Sequence, residues 1–190
     1  MNRTLQWHSM TEGHAKRAPL SSGIAWGFLG GLAGTMVMDL VLMSAFSALG
    51  SPSTTCFSIV GDTVGRLFSL KDMELGRSIL LGILTHYLVG PLIGAIYGAV
   101  VTRVAALRVN TLKKSIFLAI LYVEIMSQPM LATTPILLKM TAPAILLWYA
   151  GSFIMHLIAG AVLGAVVGRG LQLARPGNRR GARARPSRWI

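Results

Sequence analysis

Apolar residues come in four long runs along the chain, separated by shorter segments that hold nearly all of the charge. The runs cover approximately residues 24–49, 79–101, 115–138 and 144–168. About 20 helical residues cross the roughly 30 Å hydrocarbon core of a bilayer, so each run is long enough for one crossing. None of the runs alternates apolar and polar residues, and a membrane barrel needs about eight strands or more. The pattern therefore predicts an all-α integral membrane protein, a bundle of four transmembrane helices. Residues 1–23 form a polar N-terminal tail, 24–170 the membrane domain, and 171–190 a basic, disordered tail. The first run resembles a secretory signal because Lys16 and Arg17 precede it. It is longer than a signal core and contains Asp39, so it is expected to be retained.

Two stretches depart from a plain hairpin design. In the long link 50–78, Ile59, Val60, Thr63, Val64, Leu67 and Phe68 recur at helical spacing, with Asp62 and Arg66 paired four apart on the other side. An amphipathic helix at the outer interface or capping the bundle is one expectation, and an ordinary loop is the other. The third run contains Pro129 and Pro135. Pro129 removes the donor for the Ile125 carbonyl, which predicts a kink or break there and a partly unwound stretch over 132–143. Pro143 suits the first turn of the fourth helix.

Composition and charge add an orientation. Of 190 residues, 53% are hydrophobic and 13% charged, about half the usual charged fraction of a soluble domain. The net charge of +12 sits in blocks. Arg3, Lys16 and Arg17 precede the first run. Arg103, Arg108, Lys113 and Lys114 crowd the second link, and Arg169, Arg175, Arg179, Arg180, Arg183, Arg185 and Arg188 follow the fourth run. The other links hold Arg66, Lys71, Arg77 and Lys139 against Asp62, Asp72 and Glu74. The positive-inside rule then places both termini in the cytoplasm. The basic tail suits anionic lipid headgroups. It lacks the aromatic platform of a nucleic-acid binder, so no nucleic acid is expected. Cys56 is the single cysteine, which excludes a disulfide scaffold.

The second and fourth runs share a spaced pattern. One reads Gly82, His86, Gly90, Gly94, Gly98; the other reads Ser152, His156, Gly160, Gly164, Gly168. Lipid gives helices no hydrophobic reason to associate, so they meet through close backbone approach along small-residue seams. The first run has its own seam, Gly27, Gly31, Thr35 and Asp39, with Gly30 and Gly34 beside it. Two hairpins in a parallel internal repeat are expected. Gly30 and Gly34 would be left over for a homodimer contact. Trp26, Trp148 and Tyr149 fit the aromatic belts at the two interfaces.

Each run also carries one titratable carboxylate or imidazole: Asp39, His86, Glu124 and His156. At about 1.5 Å per residue all four lie roughly 10 to 18 Å from a helix end, so they can share one layer. A charge at that depth costs roughly 2.5–3.5 kcal/mol even on insertion scales. Gln128 sits one turn after Glu124, and Ser127, Thr85 and Tyr122 could extend a hydrogen-bonded chain. Three readings stay open: a proton or cation pathway, polar glue in a structural or accessory subunit, and a metal or haem centre. Two imidazoles and two carboxylates suit zinc, iron or manganese, and the flanking glycines would leave space for a bis-histidine haem. The Glu-x-x-His spacing of di-iron bundles is absent, and the methionines read as packing rather than copper ligands. The expected cofactor content is none, with metal or haem as the alternatives. No nucleophile elbow, P-loop, dinucleotide fingerprint or zinc-protease helix appears, and an enzyme is not expected.

The stretches Thr85-His86, Ser127-Gln128-Pro129-Met130, Thr134-Pro135 and Met155-His156-Leu157 resemble the YagU-like family of bacterial inner-membrane proteins. The resemblance covers roughly residues 82–169 and implies a multi-pass inner-membrane protein with no established biochemical activity. His86, Pro129 and His156 match the family pattern. Glu124 departs from it, since a histidine would be expected there, and a shared ligand set does not follow.

Overall fold

The computed structural model describes residues 18–70 and 74–174. Among the described residues there are five helices: α1 Leu20–Ala48, α2 Thr55–Leu67, α3 Leu75–Arg103, α4 Leu112–Leu138 and α5 Ala142–Leu173. Four of them, all but α2, are long and apolar enough to cross a membrane. Leu40, Leu88, Leu92, Phe117, Ile125, Leu146 and Leu147 face outward from the bundle. An apolar exterior of this extent suits lipid rather than water. Each long helix outruns its apolar stretch at one or both ends. Thr111 shows how one such end is fixed, its hydroxyl accepting from the Lys114 amide at 3.2 Å.

The neighbours follow the glycines. Gly23, Gly27 and Gly31 of α1 lie against Gly98, Gly94 and Gly90 of α3 so closely that a Cβ on any of them but Gly90 would meet the opposite backbone; at Gly90 it would meet the Thr35 side chain. On α5, Gly160 faces Ile120 and Gly164 faces Ile116 of α4. The two expected hairpins are therefore present. A third seam joins them: Gly30 meets Leu163 and Gly34 meets the Ala159 carbonyl. These two glycines are thus consumed within the chain, and the homodimer face assigned to them is corrected. Trp26 is likewise seated on Gly170 of α5.

The half of the bundle nearest the two chain ends holds its core: Tyr97, Val101, Val109, Ala119, Leu163, Val167 and Leu171. Tyr97 and Tyr122 stack with ring centroids 5.3 Å apart. Their hydroxyls donate to the carbonyls of Ser115 (2.8 Å) and Ile93 (3.0 Å). Ser115 in turn donates to the Gly164 carbonyl at 2.7 Å.

The link helix is real and caps the opposite end, with Cys56, Phe57, Val60, Gly61, Thr63 and Gly65 buried. Gly61 lies on the Ser78 carbonyl and Phe57 on Gly82. Three details differ from the expected helix. Leu67 and Phe68 are exposed, at 56% and 68%. Asp62 accepts from Ser78 at 2.6 Å. Arg66 donates to the Leu137 carbonyl at 2.8 Å instead of pairing with Asp62.

No break occurs in α4: it stays helical through Leu138, and the expected unwinding over 132–143 shrinks to residues 139–141. The reason is local. Pro135 cannot donate to the Leu131 carbonyl, and the Trp148 indole donates there instead, at 3.2 Å. Thr133 and Thr134 donate to the Pro129 and Met130 carbonyls. Pro91 lies inside α3, which also runs on through it. Pro143 does occupy the first turn of α5. Arg3, Lys16, Arg17, Lys71, Asp72 and the basic tail from Arg175 lie outside the described residues.

Candidate functional site

The seams end on the ionisable residues. Along α1 and α3 the glycine contacts continue to Thr35, whose hydroxyl occupies the space beside Gly90. One turn further, where both helices again present the seam, Asp39 and His86 face each other. Asp39 Oδ1 and His86 Nδ1 are 2.8 Å apart. Asp39 is only 2% exposed. Phe57 of the α2 cap meets the His86 ring edge-to-face, with centroids 5.4 Å apart. Glycines four apart thus act as a ruler that brings the α1 and α3 backbones together and delivers an acid and an imidazole into contact.

The same ruler runs between α4 and α5. Gly164 sits on Ile116 and Gly160 on Ile120. The next turn toward the α2 end puts His156 level with Glu124. Between α1 and α5, Gly30 on Leu163 and Gly34 on Ala159 put His156 level with Val37, within one turn of Asp39. His156 also lies close enough to His86 for their charges to interact. By this register the four residues, one from each long helix, lie within about one turn of a common depth.

Within that layer the two hairpins differ. In the first, acid and imidazole are hydrogen-bonded. In the second they are not: Glu124 Oε1 and His156 Nδ1 are both buried without a hydrogen-bond partner among the described residues. Asp39 Oδ2 is buried and unpartnered as well. Buried polar atoms are nearly always satisfied, because each unmade bond costs about 1–3 kcal/mol. Three such atoms at one depth, from three helices, set this layer apart from ordinary helix packing.

Several expected members fall outside it. Gln128 faces outward and donates to the Glu124 carbonyl of its own helix at 3.1 Å. Ser127 donates to the same carbonyl and Thr85 to Leu81. Tyr122 is committed to Ile93. None of these extends a chain from the layer, since each hydroxyl or amide is used by nearby backbone.

The metal and haem candidates fare poorly on fit. Among the described residues no three His, Cys, Asp or Glu side chains group so as to hold a metal ion. The expected porphyrin space beside the histidines is filled: Gly82 meets Phe57, Gly90 meets Thr35, Gly94 meets Gly27 and Gly31, and Gly160 meets Ile120. The glycines that suggested room are the positions where helices touch.

Reasoning from sequence missed two neighbours. Phe57 lies one turn before Val60 on the buried stripe of the link, and extending that stripe backward would have found it. Tyr87, beside His86, is within electrostatic reach of Asp39 yet leaves Oδ2 without a hydrogen bond. No sequence signal singles it out. Cys56, in the α2 cap, is held inert: burial, with the Asp39 charge adding to it, pushes its thiol up to about 12.

Comparison of the chain with protein-family models, with curated proteins and with solved structures finds no match.

Proposed function

We propose that this protein is a small ion-transport protein of the bacterial cytoplasmic membrane, passing protons or other cations through the layer of Asp39, His86, Glu124 and His156. The observation that carries the reading is the set of unpartnered buried atoms, Asp39 Oδ2, Glu124 Oε1 and His156 Nδ1. Polar groups kept only as glue would be expected to bond one another, as most buried polar groups do. Ionisable groups inside a bilayer are otherwise expensive to keep, and ion or proton pathways are where they are found. Of the two other readings, a structural or accessory subunit is favoured by one contact, the Asp39–His86 bond that closes the α1–α3 seam. A metal or haem centre has no such support.

Orientation is part of the proposal. Arg103, Arg108, Lys113, Lys114 and Arg169 lie toward the end of the bundle where α1 begins and α5 ends, and by the positive-inside rule they support a cytoplasmic side for that end. The α2 cap then faces the outer side.

Flux of protons or cations into liposomes carrying the purified protein tests the reading. Wild-type vesicles should leak faster than empty ones, and the His86→Ala/His156→Ala double variant should return to the empty-vesicle rate. Flux that survives the double substitution would exclude this layer as the pathway.

A further inference from the structure

Resting on the transport reading above, we propose that the cargo is the proton itself and that it is held on Asp39 Oδ2, behind the α2 cap. Three observations on the layer converge on this. The first is coordination. A metal cation stripped of water needs four to eight donors around one point, and the described residues never bring even three candidate ligands together. The second is space. The layer sits one turn beyond the close α1–α3 seam, with Thr35 against Gly90, and Phe57 lies across both Gly82 and the His86 ring. A proton is the one cation that needs no cavity.

The third is the state of the pair. When His86 Nδ1–H donates to Oδ1 at 2.8 Å, Asp39 carries a full negative charge at 2% exposure. Its second oxygen is buried and makes no hydrogen bond, although Tyr87 lies within reach of the carboxylate. The groups around the pair are Tyr87 from α3 and Cys56 from α2, which reach Asp39, and His156 from α5, which reaches His86. None is a permanent cation, so nothing fixed neutralises the carboxylate. A proton does so directly. A protonated donor group passes its proton to Oδ2, an O–H bond forming there as the donor's N–H or O–H bond breaks, and the pair passes from −1 to 0 while the donor loses one positive charge. Release to a base reverses each change. His86 stays bonded to Oδ1 throughout and is a positioning residue. The unpartnered Nδ1 of His156 and Oε1 of Glu124, at the same depth, are the next acceptors.

The test uses full-length protein in liposomes and needs no variant at first. Uptake of H⁺, Na⁺, K⁺ and Zn²⁺ is followed separately with trapped indicators. Protons alone should move. Movement of Na⁺, K⁺ or Zn²⁺ would overturn the proton assignment while leaving the transport reading standing, and movement of none would overturn both. An infrared difference spectrum between acidic and alkaline vesicles then locates the proton. A protonated-carboxyl band should appear on acidification, disappear in Asp39→Asn and persist in Glu124→Gln. A band lost in Glu124→Gln and kept in Asp39→Asn would overturn the placement on Asp39. Na⁺ flux and infrared spectra are both readable from wild-type protein even where a variant fails to fold.

Discussion

Asp39 and His86 form a buried acid–imidazole pair bonded through one carboxylate oxygen, whereas the buried Nδ1 of His156 has nothing to bond. That contrast makes stability informative. His86→Ala should destabilise the protein by about 1–3 kcal/mol, since it strips Asp39 of the partner it has. His156→Ala, removing an unpaired nitrogen, should cost less by at least about 1 kcal/mol. Thermal unfolding in detergent measures both, and equal losses would mark His156 as glue. Cys56 gives a second prediction at this scale. Burial raises its thiol to about 12, so the thiolate is scarce at every lower pH. Maleimide should fail to label the folded protein at about pH 8 and label it promptly once unfolded, because a thiol must both ionise and be reached. The four ionisable residues were legible in the sequence because charge inside an apolar run is conspicuous. Their bonding was not, because a hydrogen bond depends on side-chain rotation that spacing does not determine.

Helix lengths and the glycine seams were the most legible elements, since apolar length and four-residue spacing map directly onto helix geometry. Pro129 and Pro135 were harder to read. A proline announces a lost backbone bond, but the Trp148 indole that replaces one of them comes from 13 residues further along, on another helix. Trp148→Phe should therefore free the Leu131 carbonyl and destabilise by about 1–3 kcal/mol. Detergent unfolding would show it, and an unchanged midpoint would mean that the indole bond is dispensable. The seams offer a paired test. At Gly94 a Cβ would meet backbone atoms of Gly27 and Gly31, so Gly94→Val must push α1 and α3 apart. At Gly151 a Cβ would meet nothing within 4 Å. Gly151→Ala should be neutral or stabilising by up to about 1 kcal/mol, while Gly94→Val should unfold the protein or halve its yield. Both are visible by size-exclusion chromatography.

Across the whole molecule, the order of helices around the bundle was only half legible. Sequential hairpins follow from short links, but the α1–α5 contact that joins them runs through Gly30 and Gly34, which carry no mark telling an internal seam from an external one. That contact brings the two hairpins' layers to one depth. A packed half near the chain ends, sealed by Tyr97, Tyr122, Leu163 and Val167, then lies on one side of the layer and the α2 cap on the other. The central claim is that this layer moves protons and is not merely structural. The measurement that separates the two is proton flux per folded molecule for Asp39→Asn, taken on the same preparation whose unfolding midpoint is recorded. Asparagine keeps an oxygen acceptor for His86 but cannot hold the proton. Asp39→Asn should give a folded protein, with a midpoint near that of the wild type, whose flux falls at least tenfold. Wild-type flux from a well-folded Asp39→Asn would contradict it.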